Sequence, residues 1–164
     1  MSPYPLSILI PTYNRRSLLE ETLNSIFKDK ASEIVEIIVV DDGSKDETWA
    51  YLLSLKEKHT NLKIYRHDKN LGVSAARNTA LSKATASYIM FLDSDDYLTE
   101  KALSKLLEEI NATKKEVYLI SVWIEKGKKR KAKIFPNPPS DPLLRLKSFI
   151  AGNYADAIYV INKN

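Results

Sequence analysis

The chain has 164 residues, 44% of them hydrophobic and 28% charged, which suits a single domain with a buried core. It contains no cysteine, which excludes a disulfide framework and leads us to expect a cytoplasmic location, and no apolar run approaches the ~18–20 residues of a transmembrane segment. The net charge of +4 traces to six lysines and arginines within residues 126–133. The remainder is near neutral, which argues against a nucleic-acid partner.

The first 112 residues alternate between apolar runs and amphipathic segments, as strands followed by helices do. The predicted strands are 6–10, 34–40, 62–65 and 88–92. The predicted helices begin at two capping boxes, Ser17–Glu20 and Ser44–Glu47, at Ser74 and at Thr99. Helical spacing predicts three buried faces: Leu19, Leu23, Ile26 and Phe27; Trp49, Leu52 and Leu53; Leu103, Leu106, Leu107 and Ile110. Four strand–helix units predict an α/β fold with a doubly wound, mostly parallel sheet and helices on both faces.

This alternation stops after residue 112. We expect a strand over 117–125, a turn at 126–128 and a basic hairpin partner reaching residue 135. Four prolines then predict an extended linker over 136–142, followed by a short helix over 143–150 and a last strand over 157–161. We therefore expect residues 1–164 to form one domain, with βα units in 1–112 and an extension in 113–164.

Three carboxylates follow the fourth predicted strand: Asp93, Asp95 and Asp96. Carboxylates this close together repel each other, and a bound cation would remove the repulsion. Aspartate oxygens are the ligands expected for Mg²⁺ or Mn²⁺. The alternative is a solvated turn capped by aspartate, and this stretch alone leaves both interpretations open.

Two further loops should lie at the same edge of the sheet, because the carboxyl ends of parallel strands lie side by side. One carries Tyr13, whose ring could stack on a base or simply pack. The other carries Asp41 and Asp42, which could accept hydrogen bonds from a base or ribose, or belong to a turn that caps a helix. Gly43 predicts a positive φ in that turn. With a metal bridging a diphosphate, these loops would form a nucleoside diphosphate site.

The segment 70–78 adds a cation at this edge of the sheet. With Ser74 as the N-cap, Arg77 lies in the first helical turn, where a cation is slightly unfavourable against the helix dipole. Its position is explained if it faces the carboxylates or a phosphate, and the alternative is a surface arginine. Neither a GxGxxG nor a Walker phosphate loop is present.

Four motifs in this order resemble the family-2 glycosyltransferases with the GT-A fold. The motifs lie at 7–15 (SILIPTYNR), 39–48 (VVDDGSKDET), 70–78 (NLGVSAARN) and 91–96 (FLDSDD). The resemblance covers residues 5–110 strongly and 111–164 loosely. It implies a GT-A fold in which residues 1–112 bind a nucleotide-sugar.

The resemblance also implies roles for the residues at matching positions. Pro11, Thr12 and Tyr13 would cradle the base, which is most often uracil, and Asp41 would hydrogen-bond to it. Gly72 and Arg77 would lie near the ribose and diphosphate. Asp93, Ser94 and Asp95 would form the DXD motif, with Asp95 as the main ligand of Mn²⁺ or Mg²⁺ and Asp93 nearer the ribose or a metal-bound water. The implied nucleotide-binding set is Pro11, Thr12, Tyr13, Asn14, Asp41, Asp42, Gly72, Arg77, Asp93 and Ser94.

The implied activity is of the hexosyltransferase type: transfer of a sugar from a nucleotide-sugar, expected to be a UDP-sugar, to a saccharide or lipid-linked acceptor with inversion at the anomeric carbon.

 The attacking hydroxyl needs a carboxylate to accept its proton. No glutamate follows Glu125, Asp141 fits a helix cap, and Asp156 is the remaining candidate for the base. We therefore expect the donor-binding portion of a longer enzyme, which binds nucleotide but transfers sugar poorly or not at all by itself.

Two other functions are compatible with parts of the sequence. A phosphatase of the haloacid-dehalogenase type would use Asp93 as its nucleophile and Asp95 as its acid. A non-catalytic nucleotide-binding module would bind without a metal. The basic segment 126–133 would be a solvated hairpin, a contact with an anionic membrane or lipid-linked acceptor, or a contact with another part of the protein.

Overall fold

The structure, a computed structural model, describes residues 2–114, 116–120, 122–126, 129–133 and 158–162. The strands are β1 (Leu6–Thr12), β2 (Glu36–Asp41), β3 (Leu62–Arg66), β4 (Tyr88–Phe91), β5 (Val117–Ile120), β6 (Val122–Lys126), β7 (Lys129–Lys133) and β8 (Ile158–Asn162). The helices are α1 (Arg16–Phe27), α2 (Thr48–Lys56), α3 (Val73–Lys83) and α4 (Ala102–Thr113), with a 3-10 helix at Lys30–Ile34.

Six strands form the main sheet in the order β3-β2-β1-β4-β8-β5. β1 pairs in parallel with β2 on one side and with β4 on the other, and β2 pairs in parallel with β3. β8 is antiparallel to both of its neighbours. The predicted α/β fold with a mostly parallel sheet is therefore confirmed. The strand order reverses at β1, and open α/β sheets bind ligands outside the carboxyl ends of strands at such a reversal.

The helices cover both faces of this sheet, as predicted. On one face, side chains of α1, α2 and α4 pack with β1, β2 and β4 in a core that includes Ile8, Leu23 and Leu107. On the other face, α3 packs through Ala76 and Ala80, which have no exposed surface. Small side chains let the backbone of α3 approach the sheet closely. Leu53 was predicted to face inward but is 46% exposed, so this position was wrong.

The capping boxes predicted at the starts of α1 and α2 were wrong, because Asp46 supplies an acceptor to both helices. No side chain caps α1 at its N-cap, and the amide of Arg16 instead donates to Asp46 Oδ2 at 3.3 Å. Asp46 Oδ1 also accepts from the amide of Thr48, the first residue of α2, at 3.1 Å. The capping boxes predicted at Ser17 and Ser44 therefore do not form. Ser44 contacts another loop instead, as described below.

The starts of the other two helices also differ from prediction. α3 begins after Gly72 rather than at Ser74. α4 begins at Ala102, and the amide of Ser104 donates to Asp29 Oδ2 at 3.0 Å, so Thr99 is not the side-chain cap.

The extension differs from prediction in one respect. The single strand predicted over 117–125 is two strands: β5 belongs to the main sheet, and β6 pairs only with β7 within the described residues. The predicted hairpin is confirmed by the antiparallel β6–β7 pairing, in which Lys126 lies opposite Lys129. The predicted linker 136–142, the helix 143–150, Asp141 and Asp156 lie outside the described residues.

Candidate nucleotide-sugar site

The loops that follow β1, β2 and β4 meet the start of α3 around one cleft of about 440 Å³. The residues that line it are Pro11, Thr12, Tyr13, Arg15, Asp42, Asn70, Gly72, Val73, Ala76, Arg77, Asp93, Ser94 and Asp95. The cleft therefore brings together the site residues singled out from the sequence except Asn14, Asp41, Asp96 and Asp156. A larger depression of about 1070 Å³ lies between α1, the 3-10 helix and α4, and contains none of the predicted site residues.

Asn14 joins two of these loops instead of lining the cleft. Its backbone amide donates to Ser44 Oγ at 2.9 Å, and its side-chain Oδ1 accepts from the amide of Lys45 at 2.8 Å. Its φ of 51° lies in the left-handed region that asparagine tolerates better than most residues. Asn14 therefore fixes the loop after β1 against the loop after β2, and its predicted contact with a nucleotide stays a prediction.

Of the predicted acid pair, Asp42 reaches the cleft and Asp41 does not. Asp41 has no exposed surface, and its Oδ1 accepts from the amide of Ser44 at 3.0 Å. Its Oδ2 lies 3.2 Å from Nε of Arg66, without the geometry of a hydrogen bond. The carboxylate of Asp41 is therefore enclosed beneath the turn, and its predicted hydrogen bond to a base stays a prediction.

Asp42 organises the segment that leads into α3. Its Oδ2 accepts from the amide of Gly72 at 2.7 Å, and its Oδ1 accepts from the amide of Leu71 at 3.0 Å. Nδ1 of His67 lies 2.6 Å from the same Oδ1, and Nε2 of His67 lies 2.9 Å from the hydroxyl of Thr79. Burial by itself would raise the pKa of Asp42, but the bonds from Leu71, His67 and Gly72 outweigh it and hold the pKa below its ordinary value.

Two glycines make the backbone of these loops possible. Gly43 has a φ of 75°, as predicted, and a Cβ there would lie 2.8 Å from the backbone carbon of Lys69. Gly72 has a φ of 92° and a ψ of 157°, a conformation that is essentially restricted to glycine. Without these residues, the segment 69–72 could not lie against the loop after β2.

The acid cluster after β4 is paired with two arginines. Nη2 of Arg77 lies 2.6 Å from Oδ1 of Asp93, so the prediction that Arg77 faces the carboxylates is confirmed. Because α3 starts at Val73, Arg77 lies just beyond the first helical turn. Arg15 forms an ion pair with Asp95, a contact that the sequence did not predict. Desolvation, and then the charges of Asp93 and Asp95, raise the pKa of Asp96.

The carboxylates at the cleft suit a metal ion that binds together with a diphosphate. Among the described residues, no group of three His, Cys, Asp or Glu side chains is arranged to hold a metal ion. Mg²⁺, however, is usually held by one or two carboxylates plus substrate phosphates rather than by a cage of protein ligands. Asp93 and Asp95 both line the cleft and can supply those carboxylates.

Comparison with known proteins identifies the family. A family model described as Glycosyl transferase family 2 matches residues 7–158. The chain belongs to this family. The phosphatase and the non-catalytic module expected as alternatives gain no support from this match.

Relatives and solved structures agree with this assignment. Poly(ribitol-phosphate) β-N-acetylglucosaminyltransferase TarS of Staphylococcus aureus is 35% identical over 71% of this chain and 20% of TarS. The crystal structure of TarS 1–349 in complex with UDP-GlcNAc matches with a TM-score of 0.62 and 34% identity, over 68% of this chain and 32% of that one. Mannosyltransferase PcManGT from Pyrobaculum calidifontis, in complex with GDP-Man and Mn²⁺, matches with a TM-score of 0.59 and 25% identity, over 71% of this chain and 36% of that one.

A third relative is a Campylobacter jejuni GalNAc(5)-diNAcBac-PP-undecaprenol β-1,3-glucosyltransferase, which is 36% identical over 65% of this chain. The match spans 34% of that enzyme. The chain thus spans about a third of the length of this relative. The GT-A fold expected from the motifs is confirmed by the TarS structures.

Proposed function

We propose that the cleft binds a nucleoside diphosphate sugar, with UDP as the nucleotide, and that a divalent cation is bound with it. The observation that carries this proposal is the convergence of Tyr13, Asp42, Arg77 and the Asp93–Asp95 motif on one cleft at the carboxyl edge of the sheet. The cleft thereby presents an aromatic ring, fixed acceptors, a guanidinium group and exposed carboxylates side by side. A base, a ribose, a diphosphate and a metal require these four kinds of group.

Two polar atoms in the cleft support a ligand at this position. Oγ1 of Thr12 and Nε of Arg77 are shielded from solvent, and neither has a hydrogen-bond partner among the described residues. An unpaired buried polar atom costs about 1–3 kcal/mol. A bound nucleotide would recover part of this cost by pairing with these atoms.

Each cleft residue then has a defined task in donor binding. Tyr13 stacks on the base. Asp42 holds the backbone of residues 71–72 in place at the edge of the cleft. Asp93 and Asp95 hold the cation, which when bound stabilises the negative charge of the departing diphosphate. Arg77 keeps Asp93 in position and supplies positive charge at the same edge of the cleft.

We further propose that the sugar is transferred with inversion to a hydroxyl of a saccharide or lipid-linked acceptor. The relative named for a PP-undecaprenol substrate supports the lipid-linked class. In this proposal a carboxylate on the acceptor side takes the proton of the hydroxyl. Asp156, the candidate from the sequence, lies outside the described residues, and the cytoplasmic location stays a prediction. No helix in the described part of the chain has both the length and the apolar character of a membrane span.

Calorimetric titration of the 164-residue chain with UDP and GDP, each with and without Mn²⁺, tests donor binding. We expect UDP to bind in the presence of Mn²⁺ and Asp95→Ala to abolish the metal-dependent part. Glu100→Ala is the matched control, because Glu100 is an exposed acid near the cluster and does not line the cleft. Absence of binding to both nucleotides would refute the proposal, and metal-independent binding would favour a non-catalytic module.

A further inference from the structure

Arg15 lines the cleft and is the last residue of the first motif, but the resemblance assigns it no role. Its guanidinium pairs with Asp95, across the gap between the loop after β1 and the loop after β4. The side chains of Arg15 and Asp95 are each 44% exposed, so the pair remains open to solvent and to ligands. Arg15 also occupies the N-cap position of α1, where a cation is unfavourable against the helix dipole. Stabilisation of α1 therefore does not account for an arginine here.

The neighbouring arginine shows what a purely structural role looks like. Arg16 pairs with Glu20 at 2.9 Å, one helical turn away, and its guanidinium lies 3.6 Å from the ring centre of Tyr51. The first contact lies within α1 and the second joins α1 to α2, and Arg16 does not line the cleft. Arg15 is directed into the cleft because Asn14, immediately before it, is fixed to Ser44 and Lys45.

Binding of a nucleotide-sugar with a cation would require the ion-paired side chains of the cleft to change partners. Arg15 and Arg77 offset the charges of Asp95 and Asp93. A cation held by these two carboxylates would compete with both guanidinium groups. A diphosphate, in turn, offers oxygens that a guanidinium recognises with paired hydrogen bonds.

We propose that Arg15 is an exchangeable partner of Asp95, which it releases to a divalent cation in order to bind the diphosphate of the donor. This inference rests on the proposed function and assigns a donor-binding role to a residue outside the predicted set. Arg15 suits the exchange because its pair with Asp95 is solvent-exposed, and exposed pairs contribute little. The guanidinium also stays charged at every relevant pH, so it can serve either partner.

The exchange predicts that a neutral residue at position 15 raises the affinity for Mn²⁺ and lowers the affinity for UDP. Without nucleotide, Arg15→Met should bind Mn²⁺ up to about fivefold more tightly, because the competing cation is gone. With saturating Mn²⁺, the same variant should bind UDP about ten- to a hundredfold more weakly, because a charge-assisted hydrogen bond to phosphate is lost. Arg15→Gln should behave in the same way, and Arg15→Lys should retain part of both properties.

The test measures free Mn²⁺ by electron paramagnetic resonance in the nucleotide-free chain, and UDP binding by calorimetry in saturating Mn²⁺. Arg16→Met is the matched control and should change neither affinity. A loss of both affinities in Arg15→Met and Arg15→Gln would show that Arg15 only shapes the cleft, and would overturn the inference. Unchanged affinities would also overturn it. If the unaltered chain binds no UDP, the proposed function fails and the inference fails with it.

Discussion

The carboxylate of Asp42 is expected to hold the loop before α3 in place. Asp42→Asn keeps the shape of the side chain but replaces one acceptor oxygen with an NH₂ group. In either orientation of the amide, that NH₂ group would face an N–H group: the amide of Gly72 at one position, or the amide of Leu71 and the imidazole of His67 at the other. The side chain is only 4% exposed, so water cannot replace the lost bonds.

The magnitude follows from this burial and from the number of donors. Each hydrogen bond to a charged group contributes about 1.5–3 kcal/mol, and removing one partner of a buried charged network costs about 3–5 kcal/mol. We therefore expect Asp42→Asn to lower the free energy of unfolding by about 3–5 kcal/mol. Urea denaturation followed by far-ultraviolet circular dichroism measures this change.

The pH dependence provides a second measurement of the same interaction. Folding lowers the pKa of Asp42, so its stabilisation is complete above the unfolded-state value of about 3.9 and is lost as the pH falls through the folded-state value. Asp42→Asn should therefore lose less stability than the unaltered chain on acidification through that range. A cost below about 1 kcal/mol at pH 7, with an unchanged acid dependence, would refute the assigned role.

Three other substitutions test separate parts of the structure. Glu36 is fully buried and accepts from Lys63 Nζ and Ser7 Oγ, each at 2.5 Å, so Glu36→Gln should cost about 3–5 kcal/mol in urea denaturation, and a cost below about 1 kcal/mol would contradict this. Gly43→Ala should lower stability by about 1–3 kcal/mol through its positive φ and the close backbone of residue 69, and an unchanged melting temperature would disprove that strain. Tyr13→Ala should weaken UDP binding by about 1–3 kcal/mol in calorimetry, whereas an unchanged affinity would exclude stacking.

The strands and the position of the cleft could be predicted because their signals are local. β1, β2 and β4 are short apolar runs, and their register aligns Thr12 with Asp41 at the same edge of the sheet. The starts of α1 and α4 could not be predicted, because their acceptors are distant in sequence. Asp46 accepts from Arg16 and Asp29 accepts from Ser104. A capping box records only residues within one turn of each other.

Within the site, the sequence also could not separate the roles of two pairs of neighbouring residues, Asp41 with Asp42 and Arg15 with Arg16. The sequence gives no reason to place Asp42 rather than Asp41 in the cleft. The choice depends on where β2 ends, because successive residues of a strand point to opposite faces. Nor does it distinguish Arg15 from Arg16, since both follow the same turn. Only the contacts of each arginine separate the cleft residue from the helix-surface residue.

The two groups of acids in the cleft differ in the kind of partner that neutralises them. Asp42 is held by backbone amides and by an imidazole, which cannot leave without moving the loop and α3. Asp93 and Asp95 are paired with arginines on long, partly exposed side chains, which can leave by rotation of the side chain alone. A cation should therefore compete at Asp93 and Asp95 and not at Asp42. The permanent bonds shape the cleft, and the exchangeable pairs leave their carboxylates open to a ligand.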